Sequence, residues 1–374
     1  MNRKELTERC VVLDWNSNWE LDLFSFVRNW TDASDFVEVR TSGSTGLPKI
    51  IKHTKTAMRE SAAKTNDFLG LKPGMSALLC LSTRNIAGMM MVVRTFERDL
   101  NLLTVAPDGH PLKGMAAGTA IDFCAMVPAQ VYNSLQVPAE RRVLESIRHL
   151  IIGGAPVSYA LLQQLQALPG HVWATFGMTE TISHIALRKL NGPDASDAYT
   201  LMPGVTMEVQ PANEQGATKE PAINRENAST GKLIIHAPYL SADPIITNDV
   251  VEITSPRTFR WLGRQDHVIN SGGFKIFPEM VEEKIAGVMS RLSGLAGDAD
   301  HATQRYFIGS IPDEKLGEVP VLVVEMPTPD SLLASLAGVL PRHEVPREIL
   351  FVEKFIETPT GKIIRSATLK KLIH

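Results

Sequence analysis

The chain has little that would tie it to an oxidising compartment, a polyanion or a bilayer. Its 374 residues contain three cysteines, Cys10, Cys80 and Cys124, with no CxxC pair and no metal-ligand spacing. A disulfide framework and a cysteine-based metal site are therefore not expected. Cys80 and Cys124 stand within apolar runs and read as small buried residues in a reducing compartment. No basic excess exists, with 38 Lys and Arg against 41 Asp and Glu and a net charge of −3. This excludes a broad positive field for nucleic acid or an acidic membrane. The opening Met1 to Leu6 lacks an apolar signal core, and the most apolar stretch, Ile86 to Val93, is far too short to span a bilayer. The expectation is a soluble cytoplasmic protein. Internal repeats and low-complexity tracts are also absent.

What is present is ample apolar content, 44%, and a length that suggests two or three domains. Up to Leu262, strand-like runs alternate with helical ones. Phe36 to Arg40, Ala77 to Leu81, Asn101 to Val105, Phe123 to Val127, His149 to Ile152 and Lys232 to His236 read as strands. Ile86 to Arg98 reads as a helix, and Leu161, Leu162 and Leu165 mark another. The alternation predicts an α/β architecture with buried strands, whose ligands gather where loops leave the strand ends. Pro211 to Thr230 is polar and reads as a surface connection. A glycine-punctuated passage, Gly263 to Gly273, precedes a final portion with a helix near Pro278 to Ile285 and strands near Arg305 to Ile311 and Val319 to Glu325. The expected division is residues 1–265 and 266–374.

One run stands out, Thr41-Ser42-Gly43-Ser44-Thr45-Gly46-Leu47-Pro48-Lys49. Hydroxyls, two glycines and a lysine suit a loop wrapped around phosphates, because glycine lets backbone N–H groups approach an anion. The preceding strand places the loop at the end of a sheet. It is not a Walker loop, since Leu47-Pro48 separates Gly46 from Lys49 and Ile50 follows the lysine. Alone, the run fits a Ser/Gly-rich surface turn equally well.

It is followed in order by Gly153-Gly154-Ala155-Pro156, Phe176-Gly177-Met178-Thr179-Glu180, Asn248-Asp249, Gly263-Arg264-Gln265-Asp266 and Pro359-Thr360-Gly361-Lys362. This order and spacing resemble the adenylate-forming (AMP-binding) superfamily of acyl-CoA synthetases, luciferases and peptide-synthetase adenylation domains. The resemblance covers about Val39 to Arg365. It implies a large N-terminal α/β domain that binds ATP and the acid, and a small mobile α+β C-terminal domain. With only about 40 residues before the phosphate loop, the first subdomain of larger relatives is expected to be largely missing.

The resemblance assigns roles residue by residue. Thr41, Ser42, Gly43, Ser44, Thr45, Gly46 and Lys49 would hold the β- and γ-phosphates of ATP. Thr179 would donate to the α-phosphate, and Glu180 would bind Mg²⁺, a hard ion suited to carboxylate and phosphate oxygens. A carboxylate favoured at a helix start is the other reading of Glu180. Gly153, Gly154, Ala155 and Pro156 would lie against adenine, with Phe176 stacking on it and Gly177 following; a core phenylalanine explains Phe176 as well. Asp249 would accept from the ribose hydroxyls, Arg264 would add a second ribose contact, and Asn248 replaces the usual glycine. Lys362 would bridge the substrate carboxylate and the α-phosphate. Asp266 matches the hinge about which the C-terminal domain turns for the second half-reaction. Ser271, Gly272 and Gly273 would line the approach of the CoA thiol, or form a plain glycine turn.

For the acid, Met178 to His184 and Asn270 to Gly273 look like the o-succinylbenzoate–CoA ligases of menaquinone biosynthesis, particularly shortened bacterial forms. The resemblance implies ATP, Mg²⁺, CoA and a small carboxylic acid as partners. O-succinylbenzoate carries two carboxylates, so its pocket needs a basic or donor-rich group beside apolar walls. Arg84, Asn85, Ser183, His184 and Arg188 are the candidates, Asn85 departing from the histidine or aromatic gate of relatives. Aryl or fatty acids as substrates, a carrier-protein thiol as acceptor, and a non-catalytic nucleotide-binding protein are the alternatives. Retention of Glu180 and Lys362 argues against the last.

Overall fold

Strand residues that are apolar on both sides need cover on both sides, and the fold supplies it. A computed structural model describes residues 18–40, 49–211, 230–296, 305–325, 328, 331–357 and 363–373. Helix α1 (Asn18–Thr31) buries Leu23, Phe24, Phe26, Val27 and Trp30, the three-and-four spacing of one helix face. Strand β1 (Phe36–Arg40) pairs antiparallel with β2 (Ile50–Thr54), Arg40 opposite Ile50. The pair forms its own two-stranded sheet, so the run from Thr41 joins two strands of a hairpin rather than leaving the main sheet. Thr54 then caps α2 (Lys55–Phe68), its hydroxyl accepting from the Ala57 N–H at 3.1 Å.

Among the described residues the main sheet has eleven strands. Five run parallel: β3 (Ser76–Leu79), β4 (Asn101–Thr104), β5 (Ile121–Met126), β6 (Ile147–Ile152) and β7 (His171–Gly177), in the spatial order β4-β3-β5-β6-β7. The crossovers carry α3 (Ile86–Arg98), α4 (Pro128–Gln136), α5 (Pro138–Glu145) and α6 (Tyr159–Leu165). Alternate strand residues feed two cores. Ala77, Leu79, Phe123, Ala125 and Ile151 pack with α2 and α3, whereas Leu78, Cys124, Leu150 and Ile152 pack with α4, α5 and α6. Beyond β7 the sheet turns antiparallel through β8 (His184–Lys189), β9 (Tyr199–Leu201), β13 (Thr258–Arg264), β12 (Ile245–Ser255), β11 (Thr230–His236) and β10 (Thr206–Gln210).

From Ile269 onward the described residues build separate cores. Strands β14 (Ile269–Ser271), β15 (Phe274–Ile276), β16 (Tyr306–Asp313), β17 (Gly317–Val324) and β18 (Ile349–Phe351) form one sheet. Helices α7 (Pro278–Ala296), α8 (Leu332–Ala337) and α9 (Arg365–Ile373) cover it. Helix α7 runs well past the expected Ile285. Gly272 and Gly273, with φ of 55° and 86°, make a two-residue turn between the paired Ser271 and Phe274, as a tight hairpin with two left-handed positions requires. Among the described residues, no helix is long and apolar enough to cross a membrane.

His149 on β6 is buried, its ring 5.1 Å from that of His171 on the paired strand. Burial pushes its pKa down to about 4, and His171, Arg148 and Lys189 add to the shift. His149 is thus neutral in the fold, whereas an unfolded histidine titrates near about 6.5. The unfolded chain binds the extra proton between these values, so stability is lost as pH falls across that window. We expect the urea midpoint to drop on acidification from about pH 6.5 towards 4, and His149→Leu to flatten that drop. An unchanged pH slope in the variant would assign the acid sensitivity elsewhere.

Candidate active site

Parallel neighbours β6 and β7 end on the same side of the sheet, which brings Gly153-Gly154-Ala155-Pro156 beside Phe176-Gly177-Met178-Thr179-Glu180. Ligands of open α/β sheets gather at such carboxyl ends. The Gly153 N–H donates to the Met126 carbonyl at 3.1 Å. A Cβ on Gly153 would stand 2.2 Å from the Thr175 hydroxyl, so only glycine lets the two strands meet this closely. Phe176 is half-buried and held edge-on by Phe259 and Tyr199, with ring centroids at 5.1 and 5.6 Å.

The chain reverses from β7 into β8 within Met178 to Ser183. Thr179 to Thr181 form one 3₁₀ turn, with Glu180 exposed. The buried Thr181 hydroxyl accepts from the Met178 N–H at 2.9 Å and donates to the Ser183 carbonyl at 2.7 Å. Ile182 has φ 64° and ψ −52°, and the Ser183 N–H reaches the Thr181 carbonyl at 2.6 Å. That is the strained hand of the γ-turn on a β-branched residue, a conformation costing on the order of 1–3 kcal/mol. Gly177 lies under the returning chain, where a Cβ would meet the Ser183 carbonyl at 2.3 Å. His53 of β2 is buried beside this turn. Burial lowers its pKa, while the Thr179 backbone and the Glu180 carboxylate oppose the shift. The hairpin that frames residues 41–48 therefore abuts the Thr179–Glu180 turn.

Behind the turn a polar relay crosses the apolar core. Arg94 of α3 is 1% exposed and donates to the Ser183 hydroxyl. Ser183 Oγ lies 3.3 Å from His184 Nδ1, His184 Nε2 lies 3.2 Å from Thr65 Oγ1, and Thr65 donates to the Ser61 carbonyl at 3.1 Å. The directions are consistent only when Ser183 donates to Nδ1 and the imidazole carries its proton on Nε2. Burial holds His184 well below the usual histidine range, and the Arg94 charge adds to this, so the ring is neutral. Among the described residues no carboxylate lies within ion-pair reach of Arg94, and its Nε has no partner. Burial brings its pKa down to about 9, which still leaves it charged at neutral pH.

The antiparallel half supplies a second group. Asp249 of β12 is paired directly across from Arg264 of β13. Asp249 is buried and accepts from the Trp261 indole N–H at 2.9 Å. Burial raises its pKa, and Trp261 and Arg264 oppose the rise. Arg264 also reaches Asp266 at 3.4 Å, and Asp266 is exposed on the short turn Gln265–His267. Ser271 is buried at the end of β14.

Other expected residues stand apart. Arg84 is an exposed side chain paired with Asp22 of α1 at 2.7 Å, and Asn85 occupies the cap of α3 without a side-chain capping bond. Arg188 is half-buried on β8 over the Tyr199 ring at 5.4 Å. Lys49 directly precedes β2. Thr41, Ser42, Gly43, Ser44, Thr45, Gly46 and Lys362 lie outside the described residues. Arg94, His53 and Trp261 were not singled out from sequence. The one available signal was Arg94, a charge set within the apolar run Met89 to Phe96.

The chain is 25% identical over 354 residues to a 2-succinylbenzoate–CoA ligase of Geobacillus sp. (strain WCH70), covering 89% of this chain and 68% of that protein. Among solved structures, an acyl-CoA synthetase (AMP-forming)/AMP-acid ligase II-like protein from Dyadobacter fermentans is 35% identical, with 98% of both chains covered and a TM-score of 0.62. The o-succinylbenzoate coenzyme A synthetase MenE of Bacillus subtilis, solved with ATP and magnesium, shares the fold at 18% identity and a TM-score of 0.67 over 89% of this chain and 69% of that one. The profile of the AMP-binding enzyme family matches residues 30–242, more than half of the sequence, and the chain belongs to that family.

Proposed function

We propose that the protein joins a carboxylic acid to CoA at the expense of ATP. In the first step a carboxylate oxygen attacks the α-phosphorus and pyrophosphate leaves. In the second the CoA thiolate attacks the acyl carbonyl and AMP leaves. Positioned cations and donors dominate such chemistry, because charge develops on phosphate oxygens. Thr41 to Gly46 and Lys49 would hold the outer phosphates, Thr179 the α-phosphate, and Lys362 the reacting carboxylate. Glu180 stands exposed on the turn that follows β7. Magnesium needs only one or two protein carboxylates when it arrives on substrate phosphates, and Glu180 fits that donor set. The adenine would lie along Gly153 to Pro156 beside Phe176. The paired Asp249 and Arg264 would take the ribose, as their direct opposition on β12 and β13 supports. Asp266 would be the turning point between half-reactions, and Ser271 to Gly273 would line the thiol's approach.

Arg94 carries the substrate class. A guanidinium buried without a carboxylate partner among the described residues, and bonded to Ser183 three positions after Glu180 in sequence, would receive an anion from the ligand. Isolated buried charge is costly, and a second carboxylate on the acid would neutralise it. That favours a dicarboxylate over a simple fatty or aryl acid. O-succinylbenzoate, and with it a place in menaquinone biosynthesis, is the acid that best joins this feature to the sequence resemblance. Arg94 takes the place of Arg84 in this reading, with Ser183 and His184 orienting its guanidinium.

AMP release with ATP, CoA and o-succinylbenzoate tests the proposal, with benzoate and fatty acids as controls. Turnover is expected to be highest for the diacid; equal turnover of the controls would leave a ligase without this specificity. Lys362→Ala is expected to lose about 3–4 kcal/mol of transition-state stabilisation in pyrophosphate exchange, by comparison with lost oxyanion donors. For Arg94→Met, kcat/KM for the diacid should fall about 10- to 100-fold, since a hydrogen bond to a charged group is worth about 1.5–3 kcal/mol. The variant should remain folded, because no acidic partner is orphaned. An unchanged diacid preference in Arg94→Met would remove this residue from recognition.

A further inference from the structure

The described residues on either side of positions 358–362 are tightly held. Glu357 and Ile363 form an antiparallel bridge, and the Ile364 N–H donates to the Ile356 carbonyl at 2.7 Å. The Ile356 N–H in turn donates to the Thr368 hydroxyl at 3.1 Å. On the downstream side, Arg365 opens α9, three residues beyond Lys362. Its two terminal nitrogens donate to the two carboxylate oxygens of Glu282 at 2.7 and 2.9 Å. This is the forked pairing that fixes orientation as well as distance. Glu282 also accepts from the Ile308 N–H at 2.7 Å, which ties it to β16, and the Arg365 guanidinium lies over the Phe307 ring at 5.6 Å. Both side chains are largely buried, at 18% and 20% exposed.

One turn earlier on α7, Glu279 holds His267, the residue after Asp266. It also reaches Arg365 at 3.8 Å. The same helix face therefore grips the chain one residue after Asp266 and three residues after Lys362. Neither Glu279 nor Glu282 belongs to the nucleotide or acid groups described above.

We infer that Glu282 is a positioning residue for Lys362, acting through Arg365 to fix the base of the loop that carries the lysine. The inference rests on the proposed two-step reaction. It separates the steps, because Lys362 serves only the first. A swivelling base would cost the adenylation step the alignment that proximity effects require. Thioester formation from a preformed adenylate would be untouched.

The test measures both half-reactions in Glu282→Gln, which keeps the shape and an acceptor for Ile308 but loses the charge. Pyrophosphate exchange should fall at least tenfold in kcat/KM, because the alignment of Lys362 with the reacting carboxylate and the α-phosphate is what the variant loosens. Conversion of separately prepared acyl-adenylate and CoA to thioester should stay within about twofold of the parent. Arg365→Met, read in the same way, carries the test from the other partner should Glu282→Gln fail to fold. Arg365→Lys, which keeps the charge but loses the fork, should fall between. Equal losses in both half-reactions would mark the pair as merely structural, and unchanged exchange would overturn the inference. Absence of exchange in the parent protein with every acid would instead sink the ligase reading itself.

Discussion

The site depends on one chain reversal, that between β7 and β8. At β7 the sheet changes from parallel to antiparallel, so the chain must turn back within Met178 to Ser183 rather than cross over through a helix. The space under the return admits no Cβ at Gly177, and the tightness forces Ile182 to positive φ. Strain of this kind persists only where surrounding contacts over-determine it. Here Thr181 pins both ends of the turn, and the buried Ile182 side chain joins the core shared with α2 and α3. Glu180 and Thr179 are consequently presented from a rigid reversal rather than from a free loop. Ser183 and His184 are delivered to the opposite, inward side of the same six-residue excursion.

That inward side explains why a charge can sit in the core at all. Arg94 gives up nearly all contact with water for one bond to Ser183, a weak one to the Met91 thioether Sδ at 3.8 Å, and the Phe123 face. These offset only part of the desolvation. The His184 ring cannot help by ionising, since a second positive charge there is opposed by both burial and Arg94. The relay therefore orients the guanidinium without neutralising it. In the proposed reaction an acid lacking the second carboxylate would leave this charge unpaired, and the penalty would fall on that substrate.

Periodicity made the architecture legible. The helix over Ile86 to Arg98 and the strand over Phe36 to Arg40 match the observed bounds, because each is bounded by turn residues and carries an unbroken apolar pattern. The strand candidates at 77–81, 101–105, 123–127 and 149–152 shift by one or two residues at their ends. Legibility failed where the third dimension decides. The independent β1–β2 sheet could not be told from an edge of the main one, since pairing partners are not local. Trp261 meets Asp249, twelve positions away in sequence, only through the register of β12 and β13. Arg94 looked like the end of an apolar stretch, when it is the one charge that α3 turns inward. His53 gave no signal at all, its proximity to Glu180 arising from the packing of a hairpin on a turn.

The acidic face of α7 adds a constraint on motion. A Cβ on Gly263 would stand 2.4 Å from the Glu279 carboxylate, so the start of α7 rests against the strand that carries Arg264. Further along, α7 packs against α6, Gly287 facing Tyr159. Rotation about Asp266 would have to break both of these contacts, since Gly263 and Tyr159 precede the turning point. It would preserve the grip of Glu279 on His267 and that of Glu282 on Arg365, because all four residues follow it. The contacts that cross position 266 include a glycine backbone and a helix packing, whereas those that do not include the forked Glu282–Arg365 ion pair and the Glu279–His267 hydrogen bond. Were Asp266 the turning point proposed above, this distribution of contacts would let the part that follows it move as a unit, with Ile356, Ile364 and Arg365 kept in place relative to Glu282.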